Sequence, residues 1–203
     1  MKRVAGGILA GGQARRMGGG DKCLLPLVGG RVVLDAIIAR LAGQVDCLAL
    51  NANGDAARFG AWALPVLQDS VADAGPLAGV LAAMDWAAAQ GCARVVTVAG
   101  DTPFFPDDLV AQLAAGLAAG GGGVAMAKTD RVHPVFALWD VALAPALRSA
   151  LDAGTRRVQD FAHGQAAVEV VFPVAGGGDP FFNINTPEDL VRAQARAIAG
   201  GGM

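Results

Sequence analysis

Apolar residues fall into two alternating patterns along this chain. Short, nearly continuous apolar runs occupy Val4–Leu9, Asp46–Asn51, Leu64–Leu67, Arg94–Ala99, Val124–Ala127, Pro134–Trp139 and Val168–Phe172. Several are β-branched and lack an in–out alternation, which marks strands buried on both faces. Between them apolar residues recur at four-residue spacing: Val33, Ile37 and Leu41; Leu77 and Leu81 with Met84 nearby; Leu109, Leu113 and Leu117. That spacing lays an apolar stripe along one side of a helix. A last helix is predicted from Pro187, with Thr186 as N-cap and Glu188 and Asp189 in the first turn, where carboxylates meet the positive end of the helix dipole. Strands alternating with helices predict an α/β domain of three layers, α/β/α, around a mainly parallel sheet. In such sheets ligands gather beyond the carboxyl ends of the strands. The loop after Leu9, Asn51 after the second run and Asp101 after the fourth all fall there.

No linker divides the pattern. Gly120–Gly123 and Gly176–Gly178 read as loops, and residues 200–203 as a flexible tail. A length of 203 residues suits a single domain spanning 1–203. Hydrophobic residues at 54% and charged ones at 17% argue against disorder. A net charge of −2, with no basic run longer than Arg15-Arg16 or Arg156-Arg157, excludes nucleic acid as the main partner. No apolar run reaches the roughly 20 residues of a membrane span. The N-terminus enters a strand at once, without a signal-peptide cleavage site. The expectation is a cytoplasmic protein with no membrane partner. The 3 cysteines, Cys23, Cys47 and Cys92, are scattered and form no C-x-x-C. They point to a reducing compartment and against a disulfide framework or zinc site. A reactive thiol and a small buried side chain both fit Cys23, the second better.

The densest chemistry lies in Ile8-Leu9-Ala10-Gly11-Gly12-Gln13-Ala14-Arg15-Arg16-Met17-Gly18-Gly19-Gly20-Asp21-Lys22. Glycines allow close backbone approach to a ligand, and consecutive free N–H groups form a concave anion site. Arg15, Arg16 and Lys22 add positive charge. The stretch reads as a loop wrapped around nucleotide phosphates. It is not a Walker A loop, because Asp21 precedes Lys22 and Cys23 follows it. Nor does it have the G-x-G-x-x-G spacing of a dinucleotide fingerprint.

Further candidates sit at other strand ends. Asp101, followed by Thr102-Pro103, suits a hard cation such as Mg²⁺, which takes few protein carboxylates and completes its shell with phosphate and water. Asn183 and Asn185 share one side of an extended segment and offer two carboxamides to phosphate, metal-bound water or substrate. Asp69 and Asp73, in the loop before Gly75-Pro76-Leu77-Ala78-Gly79, suit a purine N–H edge or a ribose hydroxyl. His133 and the pair Arg156-Arg157 are candidates for an acceptor phosphate. The residues assemble no Ser/His/Asp or Cys/His nucleophile set.

The pattern L-A-G-G-x-x-x-R-M-G-G-x-D-K resembles that of the molybdenum cofactor guanylyltransferase family (MobA), nucleotidyltransferases of GT-A-like, Rossmann-like type. The resemblance continues through Asn51-Ala52-Asn53, Asp69-Ser70, Gly75-Pro76-Leu77-Ala78-Gly79, Asp101-Thr102-Pro103, His133-Pro134, Arg156-Arg157-Val158 and Asn183-Ile184-Asn185-Thr186-Pro187. Cys23 departs from the small residue of many relatives. The resemblance implies transfer of GMP from GTP to the phosphate of molybdenum-bound molybdopterin. Within it Leu9, Ala10, Gly11, Gly12, Lys22, Asn51, Asp69 and Asp101 bind GTP. Lys22, Asp101 and Arg16 serve catalysis, and Asp101 acts through Mg²⁺. Asn183, Asn185, Arg156 and Arg157 are assigned to the acceptor. Cofactor-biosynthesis proteins and acceptor molybdoenzymes are the protein partners it implies. A cytidylyltransferase or sugar-1-phosphate nucleotidyltransferase of the same fold is the alternative activity; Gly11-Gly12, where those relatives commonly have alanine-glycine, disfavours it. A non-catalytic GTP-binding protein that delivers cofactor is the alternative of another class.

Overall fold

The structure, a computed structural model, describes residues 2–11, 19–71, 74–174 and 178–200. The strands are β1 (Val4–Leu9), β2 (Cys47–Asn51), β3 (Val66–Leu67), β4 (Arg94–Ala99), β5 (Val124–Lys128), β6 (Val132–Asp140) and β7 (Val168–Val171). They form one 7-stranded sheet in the order β3-β2-β1-β4-β6-β5-β7. Strand β6 runs antiparallel to β4 and β5, and every other pairing is parallel.

Helices cover both faces, as the apolar runs predict. On one side α1 (Val33–Ala42), α3 (Leu109–Gly120) and α6 (Pro187–Ala199) pack against Ile8, Leu50, Val96, Val98 and Leu138. On the other, α2 (Pro76–Ala89), α4 (Ala144–Asp152) and α5 (Val158–Gly164) pack against Ala5, Val95, Met126 and Trp139. Neighbouring strand residues thus enter opposite cores, which is why the runs show no polar alternation. Among the described residues no helix is long and apolar enough to cross a membrane.

Two strands differ from the sequence pattern by more than one residue, and each has a proline at or beside the difference. β3 is confined to Val66–Leu67, because Pro65 has no N–H to extend the ladder and contributes only its carbonyl, to Leu50 N at 2.9 Å. β6 begins earlier than expected, at Val132. Its pairing with β5 jumps between Ala137↔Met126 and His133↔Ala127, and Pro134 sits inside that irregularity. Helices α4 and α5 were not singled out by the spacing. α4 buries Ala144, Leu147 and Leu151 behind a proline at its first turn, and α5 is only 7 residues long.

The order β2-β1-β4 positions everything that follows. The chain leaves β1 toward β2 on one side and reaches β4 on the other, so a crevice opens where the direction of winding reverses. The carboxyl ends of β1, β2 and β4 line this edge. Because β6 is reversed, its first residues arrive there too.

Candidate active site

A cavity of about 820 Å³ occupies that edge. Leu9, Ala10 and Gly11 continue from β1, Asn51 and Asn53 from β2, and Gly100 and Asp101 from β4. Lys22, Cys23, Asp69, Val135 and Asn183 complete the polar and apolar walls. Gly75 and Pro76 bring the N-terminus of α2 to the rim, with Gly75 at φ +63°, a conformation that suits glycine. The positive end of a 14-residue helix therefore borders the cavity.

Two polar clusters organise the walls. The first is centred on Lys22, at the start of a short 3₁₀ turn, Lys22–Leu24, anchored by the buried Cys23. Lys22 Nζ donates to Asp101 Oδ2 at 2.9 Å and to Asn185 Oδ1 at 2.5 Å. Thr102 Oγ1 lies 3.2 Å from Asp101 Oδ1 and 3.0 Å from Asn183 Oδ1, so its one proton serves one acceptor at a time. Asp101 is also held through its backbone: its carbonyl accepts from Ile184 N at 2.9 Å. The segment Asn183-Ile184-Asn185 thereby runs beside Asp101. It is fixed in turn by the cap of α6, where Asp189 Oδ2 accepts from the N–H groups of Asn185 (3.1 Å) and Thr186 (3.0 Å). Thr186 returns a bond by accepting from Asp189 N, a reciprocal capping box.

The second cluster surrounds Asp69. Asn51 Nδ2 donates to its Oδ1 and Asn53 Nδ2 to its Oδ2, both at 2.8 Å. Asn53 Oδ1 accepts from Asp69 N at 2.9 Å, closing the ring. The carboxylate is thus aimed before any ligand arrives. Gly79 of α2 is required here, since a Cβ at that position would lie 2.2 Å from Asn51 Oδ1.

Arg58 joins the region, although no motif marks it in the sequence. Its Nε donates to Asp21 Oδ2 at 2.6 Å and its Nη2 to Asn53 O at 2.8 Å, with a further bond to Asp55 O. One guanidinium therefore ties the residue before Lys22 to the loop that holds Asp69. The available signal was Asp21 itself, a lone carboxylate in a basic glycine loop that needs a cationic partner.

The remaining candidates are placed as follows. Gly12, Arg15, Arg16 and Asp73 lie outside the described residues, as do Gly176, Gly177 and positions 201–203 of the expected tail. Arg156 Nη1 donates to Leu151 O (2.8 Å) and Thr155 O (2.9 Å), closing the end of α4. Arg157 precedes α5, and neither arginine lines the cavity. His133 is buried, its Nε2 is 2.8 Å from Thr129 Oγ1, and its ring centroid lies 4.6 Å from that of Phe181. Burial lowers its pKa and favours the neutral imidazole, so its environment is that of a packed core side chain. Burial pushes the Cys23 thiol up to about 12, with Asp21 adding to the effect. A buried thiol held protonated is a poor nucleophile. Cys47 and Cys92, distant in sequence, meet with sulfurs 3.8 Å apart, as free thiols at the opposite end of the strands.

The donors around Asp101 are all oxygen: one carboxylate, the hydroxyl of Thr102 and the carboxamides of Asn183 and Asn185. That set fits a hard cation, and the ammonium of Lys22 already stands in a cation's place on the carboxylate. Among the described residues no group of three or more His, Cys, Asp or Glu side chains is gathered to hold a metal. A divalent ion here would need phosphate and water to complete its shell.

Comparison with known proteins adds family and fold. Residues 6–168 match the MobA-like NTP transferase domain. The chain is 54% identical over 196 residues to a molybdenum cofactor guanylyltransferase of Mesorhizobium japonicum, covering 94% of each protein. It is 48% identical over 194 residues to the protein of that name from Cereibacter sphaeroides, covering 95% of this chain and 96% of the relative. Among solved structures it resembles molybdopterin-guanine dinucleotide biosynthesis protein A from Archaeoglobus fulgidus, with a TM-score of 0.73 and 22% identity over 97% of this chain and 99% of that one. At that identity the likeness speaks for the fold.

Proposed function

We infer the activity from one premise: the chain belongs to the MobA-like NTP transferase family. It is a nucleotidyltransferase of the molybdenum cofactor guanylyltransferase kind. We propose that it transfers GMP from GTP to the terminal phosphate of molybdenum-bound molybdopterin. An acceptor phosphate oxygen forms the new bond to the α-phosphorus, the bond to the β-phosphate oxygen breaks, and pyrophosphate leaves with that electron pair. The products are the guanine dinucleotide cofactor and pyrophosphate. The whole chain, 1–203, acts as one nucleotidyltransferase domain.

The observation that carries the chemistry is the Lys22–Asp101 pair at the crevice between β1 and β4. The nucleophile is an ionised phosphate and needs no strong general base. The demands are to hold two anions in line and to spread the charge of the transition state. Lys22 supplies positive charge to the phosphates, the backbone N–H groups of Gly11 and of Leu77 in the first turn of α2 supply oriented dipoles, and this reading assigns Arg16 to the same charge stabilisation. Asp101 would hold Mg²⁺, with Asn183 and Asn185 close by; when bound, the ion neutralises charge developing on the phosphate oxygens. Among the described residues the cavity wall offers no competent thiol or imidazole, since Cys23 is held protonated and His133 is packed. That suits direct transfer without a covalent enzyme intermediate.

Asp69 supports guanine as the base. Its oxygens each accept one bond from Asn51 or Asn53 and retain a further lone pair. Guanine presents two adjacent N–H donors to such a carboxylate, whereas cytosine and adenine do not. A site built to pair a particular edge rejects analogues that leave its polar groups unpaired. GTP with Mg²⁺ is expected to raise the melting temperature well above CTP, ATP or UTP at equal concentration. Equal protection by CTP would move the assignment to a cytidylyltransferase. Cofactor-biosynthesis proteins and acceptor molybdoenzymes are the protein partners this reading assigns.

A further inference from the structure

We propose that Lys22 occupies the metal's place on Asp101 until nucleotide arrives, so that a divalent cation binds this protein only together with the triphosphate. The inference rests on the assignment of Lys22 to phosphate and Asp101 to metal; it does not depend on which base or acceptor is used.

The geometry points to competition. Lys22 Nζ is 2.9 Å from Asp101 Oδ2, and the two side chains are 15% and 17% exposed, so solvent and salt screen the pair only partly. The negative charge of Asp101 is therefore already balanced. The other oxygens nearby, on Asn183, Asn185 and Thr102, are neutral. A dication entering this site would meet one neutralised carboxylate and the ammonium beside it. Hard cations give up water reluctantly and hold to proteins through uncompensated carboxylate charge.

Lys22 is also built to move a short way and stay close. An ammonium has three donors, and Asp101 and Asn185 occupy two. Asn185 is held independently, since its own N–H donates to Asp189 Oδ2 in the cap of α6. Its Oδ1 can keep the ammonium at a pivot while the Asp101 bond is exchanged for a phosphate oxygen. The charges then balance at both ends: Lys22 gains the triphosphate, and the metal gains Asp101 together with phosphate oxygens. Asn185 is in this account a positioning residue for Lys22.

Mn²⁺ is the probe, followed by the paramagnetic resonance signal of the free ion, with the full chain and no nucleotide. Wild type is expected to show only weak binding. Lys22→Met, which keeps length and removes charge, is expected to bind Mn²⁺ at least about tenfold more tightly, the scale of one charge-assisted hydrogen bond. Lys22→Arg retains the charge and should stay as weak as wild type. Adding GTP should then strengthen Mn²⁺ binding far more in wild type than in Lys22→Met. Tight binding by nucleotide-free wild type would overturn the proposal, as would a Lys22→Met affinity equal to or below that of wild type. If Lys22→Met does not fold, Lys22→Gln decides: it removes the charge and leaves Asp101 and Asn185 in place, so Mn²⁺ binding should tighten, and no change contradicts the mechanism. A preference for CTP, or failure to use molybdopterin, would defeat the guanylyl reading and leave this nucleotide-free measurement untouched.

Discussion

Asp101→Asn is expected to reduce the maximal rate roughly 10²–10³-fold, the scale of removing one preorganised electrostatic contact to a developing charge. The substitution keeps the shape of the side chain and the Ile184 N bond to the backbone carbonyl. It removes the charge that would face the metal and the charge that now holds Lys22. The Mg²⁺ concentration for half-maximal activity should rise together with the fall in rate. Stability should change little, because the pair lines the cavity and not either core, and Lys22 keeps its bond to Asn185. A Mg²⁺ titration of activity for both proteins is the measurement. An unchanged half-saturation and maximal rate would remove Asp101 from metal binding and leave it a turn residue.

Lys22→Ala is expected to slow turnover about ten- to a hundredfold, from loss of a charge-assisted hydrogen bond of roughly 1.5–3 kcal/mol felt in the transition state. The ammonium points into the cavity and not into either core, while the turn that carries it is anchored by Cys23. The melting temperature should therefore stay near that of wild type. Steady-state rates measured beside a thermal melt separate the two effects. A wild-type rate in a well-folded variant contradicts the role given to Lys22.

The architecture was legible because both sheet faces are buried. Runs such as Arg94–Ala99 could only be strands with helices above and below, and the polar residues ending β1, β2 and β4 had to meet once those strands lay parallel. The reversal of β6 was not legible, since a buried antiparallel strand has the same apolar run as a parallel one. It matters because it brings Val135 to the cavity wall. α5 escaped because 7 residues show too little periodicity to register.

At the site, residues adjacent to glycine or at strand ends were readable, and those acting across long separations were not. The sequence singles out Asn185 at a strand end, but its bond to Lys22 spans 163 positions and exists only in the fold. The sequence singles out Asp69, but not the bonds by which Asn51 and Asn53 aim its carboxylate. Arg58 was missed because it stands in the 3₁₀ segment Ala56–Trp62, where no spacing or motif marks it. His133 and Arg156 looked chemical by residue type. Their surroundings are an aromatic stack and the end of a helix, which residue type does not reveal.

The most direct test of the whole account is pyrophosphate release from each of the four ribonucleoside triphosphates, with Mg²⁺, in the presence and absence of molybdenum-bound molybdopterin. The account predicts release from GTP that depends on the molybdopterin acceptor and matches formation of the guanine dinucleotide one for one. Release from CTP in preference to GTP, or release indifferent to the acceptor, would contradict it.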